Sequence, residues 1–128
     1  MIKIHTASFF DKANHRGTVL SIALSQPRGY DFFQLTILVP TYQTLYLYKS
    51  KKIDEAGYTR RYNKKILEKL TLARVLAHLK KLVGNSEDVT LCCWEKAGNF
   101  CHRQLVMGWL RQRHDEVNKH LFEIGEEH

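Results

Sequence analysis

The segment CCWEKAGNFCHR, residues 92–103, holds all three cysteines of this chain and ends in a His-Arg pair. A cysteine acts as a nucleophile in its thiolate form, which a helix N-terminus or a nearby cation favours. Cys93 and Cys101 are the candidates for such a thiolate, and they could also form a reversible disulfide with each other. Adjacent residues on a strand point to opposite faces, so we predict that Cys92 is a buried, inert thiol.

The charged residues of the same segment favour the binding of a phosphorylated ligand. A loop with Gly98 leads into Arg103, and backbone N–H groups at a helix start combined with a guanidinium can bind an anion. Glu95 and His102 could transfer protons, and Glu95 could bind a ribose or base donor. The alternative for Glu95 is an ion pair that only fixes Arg103. The loop has neither a P-loop lysine nor paired glycines, so no known nucleotide motif identifies the ligand.

A zinc site is the weaker hypothesis for these residues. The two cysteines at 92 and 93, with Cys101 and His102, provide sulfur and nitrogen ligands. However, the C-x₂-C spacing is absent, and at most one of the adjacent cysteines can face a shared point. We therefore predict no metal ion and no other cofactor. We expect Cys93 and Cys101 to lie close together across the turn, with Cys101 the most reactive because Arg103 and the helix start favour its thiolate.

The composition is typical of one globular domain covering residues 1–128. Apolar residues make up 44% of the chain and charged residues 26%, with only two prolines. Its apolar runs are too short for a membrane span, and we identify no signal peptide at the N-terminus. Three cysteines, two of them adjacent, are a poor disulfide framework and fit a reducing compartment. We therefore expect a cytoplasmic protein without a membrane partner; the composition does not indicate an oligomeric state.

The net charge of +7 is concentrated in residues 48–65, where Lys and Arg greatly outnumber acidic residues. Such a segment indicates either an electropositive face for phosphates or nucleic acid, or an ordinary solvated helix face. Lys49 is the candidate phosphate ligand in it, and tyrosines such as Tyr58 could stack on bases or pack against the core.

The hydrophobic pattern predicts an α/β fold with a mainly parallel sheet, a Rossmann-like layer sandwich. Continuous apolar runs of strand length indicate strands buried on both faces, and four-residue spacing indicates helices. The predicted strands are 2–7, 18–25 and 88–94. The predicted helices are 41–51, 54–70, 71–83 and 101–113. Residues 31–40 and 116–124 are ambiguous between helix and strand.

Ligands of parallel sheets bind at the carboxyl ends of the strands, next to helix N-termini. We therefore expect Glu95, Cys101, His102 and Arg103 to line one pocket with the end of the second strand, at residues 25–28. Arg28 would then bind the ligand. His5, on the first strand, could reach the same crevice, although a single histidine on a strand more often packs at the surface.

The stretch VTLCCWEKAGNFCHRQLVMGWL resembles the C-terminal signature of the family known as domain of unknown function 488. That signature is a hydrophobic strand ending in Cys-aromatic-Glu, a short loop, and Cys-His-Arg at the start of an amphipathic helix. The matching positions here are Cys93, Trp94, Glu95, Cys101, His102 and Arg103. Weaker similarity includes YK at 48–49 and IDEAGYTRRY at 53–62. The resemblance implies a compact α/β domain with a functional cluster at the signature, and it implies no particular reaction.

In longer members of that family, a strand often ends in Asp-Val-Arg where this chain has IALSQPRG. The resemblance therefore makes Arg28 the candidate for the arginine of that strand end. Three functions remain open at this point. The first is a small enzyme or binding domain for a small phosphorylated or nucleotide-like ligand. The second is a non-catalytic nucleic-acid-binding module that uses residues 49–65, and the third is a structural or partner-binding protein.

Overall fold

A parallel β-sheet forms the centre of the molecule. The computed structural model describes residues 1–84 and 86–128, and in them five strands have the order β3-β2-β4-β1-β5, with every neighbouring pair parallel. The strands are β1 Ile2–Ser8, β2 Thr18–Ser21, β3 Phe33–Gln34, β4 Asp88–Cys93 and β5 Phe122–Glu127. The central strands β1 and β4 are almost wholly buried, as expected for a sheet covered on both faces. The predicted α/β class is confirmed.

Four α-helices flank the sheet in the described part of the chain. They are α1 Tyr42–Lys49, α2 Glu55–Lys65, α3 Leu72–Val83 and α4 His102–Arg113. Each of the first three begins after a side-chain N-cap: Thr41, Asp54 and Thr71 accept hydrogen bonds from backbone N–H groups of the first turn. None of these helices has the length and apolar character that crossing a membrane requires.

Some predicted element bounds are wrong, and the reasons are local. The strand predicted for 18–25 ends at Ser21, because the chain then leaves the sheet in a loop. The helix predicted for 54–70 ends at Lys65 and is followed by a 3₁₀ turn, since the next N-cap is already at Thr71. Of the two stretches that were ambiguous between helix and strand, residues 31–40 contain β3 and a 3₁₀ turn, and residues 116–124 contain the start of β5.

At Gly17, just before β2, the backbone packs closely against the start of β4. Its φ is 63°, and a Cβ at this position would overlap the backbone carbonyl of Asp88. We expect Gly17→Ala to lower the free energy of unfolding by about 2 kcal/mol or more, because both the backbone conformation and the strand contact would be disturbed. Urea denaturation would measure this loss.

Gly29 offers the matched control for that measurement. Its φ is also positive, at 89°, but a Cβ there would meet no atom within 4 Å. Gly29→Ala is therefore expected to cost only about 1 kcal/mol, from backbone strain alone. Equal losses for the two variants would contradict the role of the close contact at Gly17.

Candidate functional site

A cavity of about 360 Å³ opens at the carboxyl ends of β2 and β4. The loop after β2, the end of β4, the start of α4, and helices α1 and α2 all contribute to its walls. The lining residues are Ala23, Leu24, Ser25, Pro40, Leu45, Tyr48, Lys49, Tyr58, Cys93, Trp94, Glu95, Phe100, Cys101 and His102. The location is the one expected for a ligand site in a parallel sheet.

Hydrogen bonds between neighbouring strand ends hold the cavity in shape. The Ile22 N–H donates to the carbonyl of Cys92 at 3.0 Å, which continues the β2–β4 pairing by one residue. Beyond it, the Trp94 indole N–H donates to the carbonyl of Ser25 at 2.8 Å. The loops after β2 and β4 are therefore tied together on one side of the cavity.

Cys93 and Cys101 lie together at the cavity floor, as predicted. Their Sγ atoms are within bonding distance as a disulfide, and their Cα atoms are 7.4 Å apart. Cys93 is the last residue of β4, and Cys101 is the N-cap residue of α4, which returns over that strand end. Both are buried, so the cavity is the route by which another molecule would reach them.

Arg103 lies behind the floor and contacts Cys93. Its side chain is 1% exposed, Nη1 donates to the Cys93 sulfur at 3.0 Å, and Nε donates to the main-chain oxygen of His128, the last residue of the sequence, at 2.8 Å. Nη2 has no hydrogen-bond partner, and within residues 1–84 and 86–128 no Asp or Glu side chain forms an ion pair with this guanidinium. Burial lowers the pKa of Arg103, but a guanidinium stays protonated in proteins.

A buried cation favours an anion beside it. Besides the main-chain oxygen of His128, the guanidinium contacts the Cys93 sulfur, which can become anionic once the pair is reduced. From the sequence, Arg103 was expected to act on Cys101 and to line the pocket itself. In the structure its guanidinium reaches Cys93 instead, because the first turn of α4 directs the side chain under the end of β4.

His102 is neutral, and its tautomer is defined by the backbone. Nε2 lies 2.6 Å from the carbonyl of Ile22, which can only accept, so this nitrogen carries the proton. Nδ1 lies 3.7 Å from the Cys101 sulfur. Burial, the largest effect, lowers the pKa of His102 to about 4. The free lone pair of Nδ1 therefore faces the cysteine pair at neutral pH.

Cys92 lies on the other face of the sheet. It is fully buried, and its sulfur is 3.6 Å from Nε2 of His15. Burial is the main reason that the pKa of Cys92 is raised to about 12. The expected burial is confirmed, and the thiol is protonated at neutral pH, which favours the predicted inertness.

The rim of the cavity carries one ion pair and several aromatic rings. Lys49 lies 3.3 Å from Glu95, and both side chains are partly exposed. Glu95 thus pairs with Lys49 and not with Arg103. Tyr58 is buried, which raises its pKa, and its ring meets Phe100 edge-to-face with centroids 5.5 Å apart. Tyr48 packs against both of these rings.

A known protein family matches most of this chain. The model of the DUF488-N3a family, described as the active DUF488-N3 subclade, matches residues 7–114. The chain belongs to this family. The match includes the cavity and every residue of its floor. Searches of curated proteins and of solved structures found no match to this DUF488-N3a chain.

Besides Arg103, two further predicted ligand-binding residues of this DUF488-N3a protein do not line the cavity. Arg28 is exposed beyond the loop that follows β2. His5 is buried on β1, where its Nδ1 accepts from the Glu126 N–H and its Nε2 donates to Asp88 at 2.7 Å. Both partners of His5 belong to neighbouring strands, which explains its burial without a ligand.

One part of the aromatic wall was not predicted. Phe100 lines the cavity, although it was not identified as a ligand-binding residue, whereas Tyr48 was among the tyrosines expected either to stack on bases or to pack against the core. The adjacency of Phe100 to Cys101 was the available signal. It was not decisive, since an aromatic residue beside a site packs in the core as often as it contacts a ligand.

Proposed function

We propose that this DUF488-N3a protein binds a nucleotide-like, phosphorylated ligand in the cavity and acts on it with the groups at the cavity floor. One observation carries the proposal: a fully buried guanidinium, which pairs with no Asp or Glu side chain among the described residues, contacts a cysteine that lines the cavity. A structural core gains little from burying such a cation. A nearby cation stabilises a reactive thiolate. The description of the family as an active subclade is consistent with this proposal.

The aromatic side of the cavity suits a planar ring. Tyr48, Tyr58 and Phe100 form one contiguous cluster on this side, with centroid distances of 5.3–5.8 Å. Trp94 adds a further ring, which is 40% exposed. Such aromatic surfaces can stack on any nucleic-acid base, because every base has a π-face. The ring of the ligand is therefore expected to contact this wall.

The polar side suits the remainder of a nucleotide. Lys49 is 61% exposed and can turn from Glu95 to a phosphate oxygen. The Cys101 side chain does not cap α4, so the first N–H groups of this helix are without a side-chain partner. Glu95 would then accept from a ribose hydroxyl or a base N–H, or serve as a general acid or base.

At the floor, Cys93 is the candidate nucleophile of the reduced, metal-free protein. Arg103 stabilises its anionic sulfur, and the sulfur faces the cavity. Cys101 and His102 form a second pair, in which the neutral Nδ1 of His102 can accept a hydrogen bond from the Cys101 thiol. A disulfide between the two cysteines would withdraw the nucleophile.

Binding of AMP and adenosine to the reduced protein tests the ligand class, with calorimetry as the measurement. We expect Lys49→Ala to weaken AMP binding about tenfold and to leave adenosine binding unchanged, because a charge-assisted hydrogen bond to phosphate is lost. Lys80→Ala is the control, since Lys80 is exposed on α3 outside the cavity. Absence of saturable binding by any nucleotide, or an equal loss with Lys80→Ala, would contradict the proposal.

A second candidate, nucleic-acid binding, is favoured by one feature of the surface. Lys51, Lys52 and Arg60 line a shallow groove that adjoins the cavity through Tyr48 and Lys49. A strand of nucleic acid could follow these cations with one nucleotide at the cavity. Binding of an oligonucleotide with steep salt dependence, together with weak AMP binding, would favour this function over the first.

A further inference from the structure

Although the spacing of the cysteines in the sequence led us to predict no metal ion, we propose that the reduced protein binds one zinc ion, or a similar divalent ion, through Cys93, Cys101 and His102. The proposal does not depend on the ligand of the cavity. The two sulfur atoms and one ring nitrogen all lie within 4.8 Å of one another, and all three residues are buried. Two thiolates and an imidazole are a known donor set of catalytic zinc sites.

His102 is prepared for this role by its hydrogen bond to Ile22. A metal-binding histidine commonly donates its second N–H to a carbonyl or carboxylate, which fixes the ring and its tautomer. Here Nε2 donates to the Ile22 carbonyl at 2.6 Å, and the unprotonated Nδ1 faces the sulfur of Cys101 at 3.7 Å. The lone pair that a metal ion would use is therefore directed at one of the two sulfur donors.

The backbone positions of the cysteines also suit a metal ion. Their Cα atoms are 7.4 Å apart. Disulfides usually join Cα atoms about 4.4–6.8 Å apart, whereas two thiolates at about 2.3 Å from one zinc ion stand farther from each other than bonded sulfurs do. The strand end and the helix start are thus spaced for two separate sulfur ligands.

The charges around the sulfurs fit the deprotonated donors that a metal requires. Nη1 of Arg103 hydrogen-bonds to the Cys93 sulfur and favours its anionic form. Two thiolates balance the charge of a divalent ion, and the hydrogen bond from Arg103 to the sulfur can persist beside it. Cys92 does not contribute, because it lies on the opposite face of the sheet.

Three protein ligands leave one position of a tetrahedral ion unfilled, and all three residues line the cavity. A phosphate or carbonyl oxygen of a molecule in the cavity could occupy that position, where the ion would act as a Lewis acid. Metal binding would also turn Cys93 from a nucleophile into a ligand. The metal-free and metal-bound states of the cavity floor can therefore be distinguished by the reactivity of Cys93, which is high only without the metal.

Cobalt(II) is the probe that tests the site in residues 1–128. The protein is reduced with a phosphine, freed of metal with a chelator, and titrated without oxygen. We expect one equivalent to produce thiolate-to-cobalt charge-transfer absorption and the visible bands of a tetrahedral ion, and zinc to abolish both. Cys93→Ser and Cys101→Ser should each weaken cobalt binding by more than tenfold, whereas Cys92→Ser, the matched control, should bind as the wild type does.

A second measurement uses only the wild-type protein, in case a variant fails to fold. Stoichiometric zinc should protect Cys93 and Cys101 from iodoacetamide and leave Cys92 as unreactive as before. Absence of charge-transfer absorption in the folded wild type, absence of zinc protection, or loss of the bands in Cys92→Ser would each overturn the proposal. Calorimetry with AMP in the presence of chelator is independent of these outcomes, so failure of the metal site and failure of the proposed function can be told apart.

Discussion

Arg103→Met is expected to slow the alkylation of Cys93 by iodoacetamide at least about tenfold in the reduced, metal-free protein at neutral pH. The guanidinium is the only cation in contact with this sulfur among the described residues, at 3.0 Å, and it is shielded from water. Its removal leaves a buried thiol without stabilisation of the thiolate. Because a buried ion can often be replaced by an apolar side chain of similar volume, the variant is expected to fold.

Tandem mass spectrometry must separate the adjacent Cys92 and Cys93 in this measurement. In the wild type we expect Cys93 to react fastest, then Cys101, and Cys92 last, since burial raises the pKa of Cys92 to about 12. Arg103→Lys retains a positive charge and should retain part of the Cys93 reactivity. If a folded Arg103→Met protein were alkylated at the wild-type rate, Arg103 would have no role in activating Cys93.

Acidification from pH 6.5 to pH 4 is expected to remove about 3 kcal/mol of stability through His102 alone. Burial lowers the pKa of this histidine from 6.5 to about 4 in the folded protein. Between these values the unfolded chain binds a proton that the folded chain does not, so the free energy of unfolding decreases as the pH falls. The full contribution is present above pH 6.5. Urea denaturation of the reduced, metal-free protein at a series of pH values measures it.

His102→Gln is the variant that isolates this effect. A glutamine can still donate to the Ile22 carbonyl, but it does not titrate. Its stability should therefore depend less steeply on pH between 6.5 and 4. His120→Gln changes an exposed histidine and should keep the wild-type slope. A wild-type slope in His102→Gln would mean that other groups cause the acid sensitivity.

Local signals in the sequence were sufficient to predict the fold class and the proximity of Cys93 and Cys101. Continuous apolar runs correctly indicated buried parallel strands, and four-residue spacing correctly indicated the helices α2 and α3. The strand–loop–helix order of residues 88–113 predicted that Cys93 and Cys101 meet, which the structure confirms. These features depend on residues close together in the chain, so a periodic pattern can reveal them.

Only the tertiary structure decided which groups face one another at the site. Arg103 reaches Cys93 and not Cys101, Glu95 pairs with Lys49 across the cavity, and His5 is bound within the sheet. The sequence also gave no sign that Nδ1 of His102 points at the cysteine pair, because that orientation depends on a carbonyl of Ile22 eighty residues earlier. Such contacts depend on how helices turn over strand ends, and spacing along the chain carries no information about that rotation.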